Sequence, residues 1–261
     1  MVLSMTGYGR AGALLHGRDI KVELRSVNAR FFEYSSRLPR SCAFLEDKLK
    51  KLVAAKVSRG KVELSLSIQT VTDVSVGMLS RFPDVLTQTA APTNEDELWE
   101  DVKSVAEQAV DAFIAMRAVE GEKMKADVAG RLTTIETLVG QIEENSAGRV
   151  QAYSDKLYAR LQELLGDRSI DEGRLVTEAA IFADKTAIDE ETVRLHSHVA
   201  QYREILELDE PIGRKLEFLT QELNRESNTI GSKCQDVSIT RLVVELKSEI
   251  EKIREQIQNI E

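Results

Sequence analysis

The first 70 residues alternate between apolar and polar positions in a way that predicts β-strands. Residues 61–70, KVELSLSIQT, and residues 19–27, DIKVELRSV, place every second side chain on one apolar face. This is the period of a half-buried strand. Residues 30–38 are a weaker candidate strand, and residues 2–10 can supply a fourth. A turn is predicted at Asn28, between the second and third of these segments in chain order.

A single helix is predicted among these strands. The apolar residues of 42–57 follow helical spacing, and Ser41 is a candidate N-cap. The first 70 residues are therefore predicted to form a small antiparallel or mixed sheet with one helix, as an α+β domain.

The spacing of apolar residues becomes helical further along the chain. Residues 94–166 contain no proline and carry three apolar stripes, which predict one or two very long helices in a helical arm. Glycine weakens a helix interior by about 1 kcal/mol relative to alanine, so each glycine in this arm is a candidate break. These are Gly121, Gly130, Gly140 and Gly148. Residues 71–93 contain Pro83 and Pro92, and their composition predicts a linker.

Residues 167–261 are predicted to form a helical C-terminal domain. Its helices are expected at 173–186, at 190–208 with Asp189 as N-cap, at 211–229 with Pro211 in the first turn, and from 238 to the end. The last helix carries a repeat of apolar residues that predicts a packing seam for another helix. Together with the hydrophobic fraction of 42% and the aromatic fraction of only 5%, this favours a helix-rich α+β protein.

Charge is distributed unevenly along the chain. The formal net charge is -9, yet residues 1–70 hold 13 Lys and Arg against 6 Asp and Glu. A basic N-terminal third on an acidic body is typical of a protein that meets a polyanion with one face. It is equally compatible with pairing between the basic and acidic parts in an oligomer.

Features of export or membrane insertion are not expected. No apolar run approaches the roughly 20 residues that span a bilayer, and the first residues, MVLSMTGYGR, lack the layout of a signal peptide. Cys42 and Cys234 are interpreted as reduced thiols. A cytoplasmic protein is therefore predicted.

Two glutamates in the stretch QELNRESNTIGSK are candidates for metal chemistry. On its predicted helix, Glu226 falls at the edge of the apolar stripe, and Glu222 lies one turn earlier on the same flank. A carboxylate there needs a cation, which can be a divalent metal ion or an arginine such as Arg225. On the preceding helix, Glu191 and His198 share one flank, and His198 can be a ligand, a general base or a structural histidine.

The basic third interleaves arginines with aromatic residues, among them Phe31, Phe32 and Tyr34. This combination suits single-stranded RNA, whose bases stack on aromatic rings and whose phosphates accept bidentate contacts from arginine. The alternative is that the aromatic residues belong to the core and the arginines to an ordinary surface. The chain contains no HExxH, CxxC or Gly-rich phosphate loop, which argues against nicotinamide and P-loop enzymes.

Three stretches together resemble the YicC/YloC family of bacterial proteins over most of the chain. They are SMTGYGR with ELRSVNARFFEYSSRLPR and RGKVEL, then IFADKTAIDEETVRLHSHV, and then GRKLEFLTQELNRESNTIGSK through LKSEIEKIREQIQNIE. The resemblance implies metal-dependent endoribonuclease activity and a hexameric, clamshell-like assembly that encloses a channel. The implied cofactor is Mg²⁺ or Mn²⁺, and the implied partners are RNA and further copies of the chain.

The resemblance also shifts the interpretation of the candidate residues towards a site. Glu222 and Glu226 are expected to be catalytic carboxylates that face the metal, with His198 and Glu191 as further catalytic candidates. The expected RNA-binding residues are Arg25, Asn28, Arg30, Arg37, Arg59, Lys61, Arg225 and Lys233. A non-catalytic oligomeric adaptor that binds RNA is the alternative function, and a helical scaffold without RNA affinity is a third.

Two departures from the family pattern affect these expectations. Ala187 stands where the family usually has an acidic residue, which would weaken metal binding if that acid is a ligand. The linker is also shorter than the family pattern leads one to expect. The place where linker residues are missing is predicted near residues 71–76.

Overall fold

The fold was obtained as a computed structural model that describes residues 2–71, 94–165 and 171–261. The predicted linker, except for residue 71, lies outside the described residues. In chain order the elements are β1 (Gly7–Leu15), β2 (Arg18–Val27), β3 (Phe32–Arg37), a 3-10 helix (Arg40–Leu45), α1 (Glu46–Ala54), β4 (Gly60–Thr70), α2 (Glu95–Ser146), α3 (Arg149–Leu165), α4 (Glu172–Thr186), α5 (Asp189–Leu206), α6 (Gly213–Lys233) and α7 (Val237–Ile257). The predicted α+β class, with a small sheet, a long helix and C-terminal helices, is confirmed.

The sheet is mixed and has the strand order β1-β2-β4-β3. β1 pairs with β2, and β2 with β4, in antiparallel fashion, whereas β3 and β4 are parallel. The turn predicted at Asn28 therefore does not form a hairpin, because β4 lies between the two strands that it connects. The burial of β3 and β4 agrees with this strand order. Val62, Leu64 and Leu66 of the central strand β4 are buried, whereas no residue of β3 is fully buried, as is typical of an edge strand.

Residues 2–6 do not begin the first strand, contrary to the prediction. They pair instead with the last residues of the described chain, through a bridge between Ser4 and Ile260 and a 2.8 Å hydrogen bond from the Met5 amide to the Asn259 carbonyl. The strand begins at Gly7. Periodicity along a short segment does not show which distant partner it will pair with, and this explains the error.

The chain divides into two compact units, Met1–Lys123 with Asn259–Glu261, and Met124–Gln258. In the first unit, one face of the sheet, α1 and the first half of α2 form a common hydrophobic core. Its fully buried members include Leu24, Leu49, Leu64, Val102 and Phe113.

A buried ion pair in the first unit connects helix α2 to Glu261. The Arg117 guanidinium is fully buried and donates to the side-chain carboxylate of Glu261 and to the Ser4 carbonyl. The same carboxylate accepts from the backbone amides of Ser58, at 2.6 Å, and Arg59, at 3.0 Å. Because a buried charge without a partner is strongly unfavourable, this contact fixes the last three residues against the first unit.

In the second unit, the second half of α2 and helices α5, α6 and α7 bury apolar stripes. Ion pairs join α2 to its neighbours: Arg203 of α5 contacts Glu136 at 2.8 Å, and Arg131 contacts Glu249 of α7 at 3.0 Å. The apolar repeat predicted for the last helix is buried along its length, at Ile239, Val243, Leu246, Ile250, Ile253 and Ile257. Among the described residues, no helix has the length and hydropathy to cross a membrane.

Helix α2 continues through three of the four glycines that were candidate breaks. Only Gly148, with a φ of 75°, separates two helices. Gly121 has a steric role, since a Cβ atom there would lie 2.2 Å from the Val2 carbonyl oxygen. Among the described residues, no such neighbour lies within 4 Å of a Cβ atom built at Gly130 or Gly140, and nothing in this part of the structure explains why they are glycine.

The starts of the C-terminal helices are shifted from their predicted positions. Asp171 caps α4 by accepting a hydrogen bond from the Arg174 amide at 3.2 Å, and Asp236 caps α7. The prediction of Asp189 as an N-cap was wrong, since it is the first residue of α5 and follows Ile188. Pro211 lies just before α6 rather than in its first turn.

The two kinds of glycine in α2 should respond oppositely to substitution. Gly121→Ala should lower the free energy of unfolding by about 1–3 kcal/mol, because the new methyl group overlaps the Val2 carbonyl. Gly130→Ala should leave it unchanged or raise it by about 0.5–1 kcal/mol, because alanine loses less backbone entropy. Urea unfolding measures both, and equal effects at the two positions would contradict the packing at Gly121.

Candidate metal centre on helices α5 and α6

Helices α5 and α6 form an antiparallel pair that carries a row of charged side chains. Near the start of α5, Glu191 binds Lys233 at the end of α6, with Oε1 and Nζ 2.8 Å apart. Further along α5, the Tyr202 hydroxyl lies 3.1 Å from the Thr220 hydroxyl, in the first half of α6. Burial raises the pKa of Tyr202, so this phenol stays neutral and serves as a structural hydrogen-bonding group.

Three of the predicted residues converge between these two ends. His198 of α5 and Glu222 and Glu226 of α6 each place one donor atom within 4.8 Å of the other two. The two glutamates are four residues apart, so they lie one turn apart on the same flank of α6. An imidazole nitrogen and two carboxylate oxygens at this spacing can hold one divalent cation.

The surroundings of Glu226 and His198 are suited to a bound cation. Glu226 is only 3% exposed, and the Nδ1 atom of His198 is buried without a hydrogen-bond partner among the described residues. Buried polar groups in proteins are nearly always hydrogen-bonded, and an unpaired one is costly. The residues present therefore fit a metal ion. The nitrogen ligand favours Mn²⁺ over Mg²⁺, which prefers oxygen.

Arginines also contact both carboxylates, as the alternative interpretation expects. The shortest contacts are 3.5 Å from Arg194 Nη1 to Glu226 and 3.6 Å from Arg225 Nη1 to Glu222. These distances exceed those of good hydrogen bonds between nitrogen and oxygen. Neither arginine is buried, since the side chain of Arg194 is 48% exposed and that of Arg225 is 70% exposed. The arginines reduce the repulsion between the carboxylates without enclosing them.

Glu191 lies outside the three-residue cluster. It precedes His198 by two turns of α5, about 10 Å along the helix axis. Lys233, predicted to contact RNA, is its ion-pair partner, and the second oxygen of Glu191 is buried without a hydrogen-bond partner among the described residues. Ala187 follows the last residue of α4 and lies four residues before Glu191, so an acid at that position would be nearer in sequence to Glu191 than to His198.

The predicted RNA-binding residues of the first unit fall into two groups. Arg25, Arg37 and Lys61 belong to the solvent-facing side of the sheet, where Arg37 pairs with Glu63 at 2.8 Å. Together with Glu23 and Ser65, the residues Arg25, Arg37 and Glu63 line a cavity of about 110 Å³. The positive charge of this face is therefore partly balanced by its own carboxylates.

The second group lies around the connection between β2 and β3. Arg30 stacks over the Phe31 ring, with its guanidinium carbon 5.4 Å from the ring centre, and Arg59 donates to the Ala29 carbonyl at 3.3 Å. The Asn28 amide donates to Asn259 at 3.1 Å. Their contacts give Asn28 and Arg59 structural roles in the first unit.

Some of the aromatic residues of the basic third belong to the core, and others are exposed and available for stacking on RNA bases. Phe32 and Tyr34 pack against the core, and burial raises the pKa of Tyr34 to about 12. Phe31 is 60% exposed beside Arg30, and Tyr8 lies under Arg25 with 5.7 Å between guanidinium carbon and ring centre. Stacking surfaces are thus present, and Phe31 is the most exposed of the aromatic residues named above.

Two features were missed by sequence reasoning. Arg194 lies one turn before His198 on α5, yet nothing in the sequence indicated that it contacts Glu226. A second group of possible metal ligands, His16 with Glu97 and Asp101, joins residues about 80 positions apart, and no local pattern could have revealed it. Here Asp101 is already bound by His16 Nδ1 at 2.9 Å and by Arg18 at 3.3 Å.

Metal binding should depend on His198 and not on the other histidine of α5. His198→Ala should weaken Mn²⁺ binding at least about tenfold, because the imidazole supplies one of three ligands. His196→Ala is the matched control, since His196 is half exposed and only approaches Glu143 at 3.4 Å. Titration calorimetry with Mn²⁺ measures both variants, and an equal loss in the two would contradict the assignment of the cluster.

Comparison with known proteins supports the resemblance noted in the sequence. The family model described as "Endoribonuclease YicC-like, C-terminal" matches residues 142–261, and the model described as "Endoribonuclease YicC-like, N-terminal region" matches residues 2–76 and 67–126. The chain is 40% identical to the probable endoribonuclease YicC of Clostridioides difficile (strain 630). It is 31% identical to that of Haemophilus influenzae, and both alignments cover 100% of either protein.

The same comparisons bear on the shortened linker. The alignment to the Clostridioides protein spans 293 positions, more than the 261 residues of this chain, so the relative has residues that this chain lacks. The two N-terminal matches overlap at residues 67–76. This overlap contains residues 71–76, where the sequence predicts that linker residues are missing. Almost all of these positions lie outside the described residues. Since both family models and full-length relatives match, the chain belongs to the YicC-like endoribonuclease family.

Proposed function

We propose that this protein is a metal-dependent endoribonuclease that hydrolyses phosphodiester bonds of single-stranded RNA. Its relatives are named probable endoribonucleases, which supports the reaction class. The observation that carries the metal dependence is the convergence of His198, Glu222 and Glu226, with the His198 Nδ1 atom buried and without a partner among the described residues. A divalent ion held there by these three residues would supply a water molecule of lowered pKa and a Lewis acid for a phosphate oxygen.

The three residues differ in burial, and this indicates different roles. Glu226 is buried and His198 is partly buried, so both are suited to hold the ion in a fixed position. The Glu222 side chain is 23% exposed, so one of its oxygens can reach water at the rim of the site. We assign to Glu222 the acceptance of a proton from the attacking water, since a carboxylate within hydrogen-bond reach can act as a general base.

Substrate binding is assigned to cations around and beyond this cluster. Arg225 is largely exposed and lines a groove of about 650 Å³ on α6 and α7 together with amide side chains. The groove residues are Thr220, Gln221, Asn224, Arg225, Asn228, Thr229, Glu251 and Arg254. Arg25 and Arg30 of the first unit, beside Tyr8 and Phe31, are the proposed contacts for an unpaired strand, because stacking and phosphate contacts combine there.

We further propose a homo-oligomer, a hexamer with a channel as the family resemblance implies. Helices α3 and α4 stack Tyr153 on Phe182 with ring centres 3.9 Å apart, yet they leave Leu164, 72% exposed, and Val176, 67% exposed, in solvent. Large exposed apolar patches are typical of surfaces that bind another subunit, and we assign Leu164 and Val176 to such a surface. The free thiols of Cys42 and Cys234 are compatible with the proposed cytoplasmic location.

A non-catalytic RNA-binding adaptor is the second candidate function. The arginine contacts to Glu226 and Glu222 favour it, because guanidinium groups can balance these carboxylates without any metal ion. An adaptor would bind RNA and protect it under every metal condition.

Cleavage of a labelled single-stranded RNA distinguishes the two functions. The wild-type protein should cut in the presence of Mn²⁺ and not in EDTA, and Glu226→Gln and Glu222→Gln should each lower the rate at least about a hundredfold. The matched control is Glu217→Gln, an exposed glutamate on the same helix, which should cut at the wild-type rate.

Each preparation must keep the oligomer size of the wild type. Cutting that is equal in the wild type and both site variants would mean that another site or a contaminant is responsible. RNA that is bound but uncut under all metal conditions would establish the adaptor.

A further inference from the structure

We propose that Arg194 holds Glu226 in the absence of metal and contacts the scissile phosphate once a divalent ion takes its place. This inference rests on the proposed ribonuclease function and adds a catalytic residue to it. Arg194 is one turn before His198 on α5, so both side chains approach Glu226 from the same helix.

The contacts of Arg194 indicate that it is displaceable. Its Nη1 atom lies 3.5 Å from Glu226 Oε1, outside the range of a good hydrogen bond, while its Nη2 atom donates to Glu190. The Arg194 side chain is 48% exposed and that of Glu226 only 4% exposed. The guanidinium thus sits at the boundary between water and a buried carboxylate, and it can leave Glu226 without becoming buried and unpaired.

Arg194 and a divalent ion would compete for the same carboxylate. The ion needs Glu226 as a ligand together with Glu222 and His198, and Arg194 places a positive charge beside that ligand. Two cations at one carboxylate repel each other, and the repulsion is larger at a poorly hydrated site. Removal of the arginine charge should therefore strengthen metal binding.

Once displaced, the guanidinium stays near the site. Glu190, one turn earlier on α5 and exposed, retains its contact with the Nη2 atom and keeps Arg194 at the rim. A guanidinium at this place can donate two parallel hydrogen bonds to the phosphate oxygens of a bound RNA strand. A fixed cation there would also stabilise the negative charge that develops on the phosphate during hydrolysis.

Opposite effects on binding and cleavage are therefore expected from Arg194→Ala. The Mn²⁺ dissociation constant, measured by calorimetry without RNA, should fall about tenfold. The cleavage rate at saturating Mn²⁺ should fall about a hundredfold, because the phosphate contact is lost. A purely structural ion pair predicts that both metal binding and cleavage become weaker.

Two further variants sharpen the test. Arg194→Lys keeps the charge but not the planar fork, so Mn²⁺ affinity should stay near the wild-type value while cleavage recovers only in part. Arg203→Ala removes an arginine of the same helix that pairs with Glu136 at 2.8 Å, and it should leave both measurements unchanged.

The outcomes separate this inference from the function on which it rests. If the wild-type protein binds Mn²⁺ and cuts RNA, weaker or unchanged metal binding in Arg194→Ala would show that Arg194 does not compete with the ion for Glu226. Unchanged cleavage at saturating Mn²⁺ overturns the phosphate contact. A wild-type protein that neither binds Mn²⁺ nor cuts RNA would overturn the proposed function, and the role of Arg194 with it.

Discussion

The burial of a carboxylate between two helices is the constraint on which the candidate site depends. Glu226 is 3% exposed at the edge of an apolar stripe, and its charge can be buried there only beside a cation, either an arginine or a metal ion. The α5 surface opposite it supplies Arg194 and His198, spaced by one turn. Further along the same pair, Lys233 balances the buried Glu191. The two helices are thus matched along a row of charges as well as along their apolar faces.

This row explains why part of the candidate site could be placed from the sequence. The spacing of Glu222 and Glu226 follows from the helical repeat alone, and the apolar stripe of α6 places them on one flank. The position of His198 opposite them was a hypothesis, since a helical wheel gives the face of a residue and not its distance from another helix. Geometry brings these three together and separates Glu191, which periodicity had placed on the same flank as His198.

Pairing between segments that are distant in the chain could not be predicted from the sequence. The strands β2 and β4 were evident from their alternation, whereas the parallel pairing of β3 with β4 and the bridge between Ser4 and Ile260 join segments that show no mutual pattern. The steric role of Gly121 could not be predicted either. A side chain there is excluded by the Val2 carbonyl, which lies more than a hundred residues earlier in the chain. The charge of the N-terminal third is likewise partly balanced by neighbours such as Glu63, which a count of residues cannot show.

The most direct test of a metal site is the position of a bound ion. In crystals soaked with Mn²⁺, the anomalous difference map should show a peak within coordination distance of a ring nitrogen of His198 and of carboxylate oxygens of Glu222 and Glu226. Arg194 should then have moved away from Glu226. A map with no peak at this cluster under saturating Mn²⁺, with Arg194 still beside Glu226, would contradict the metal centre and leave these carboxylates as partners of arginine.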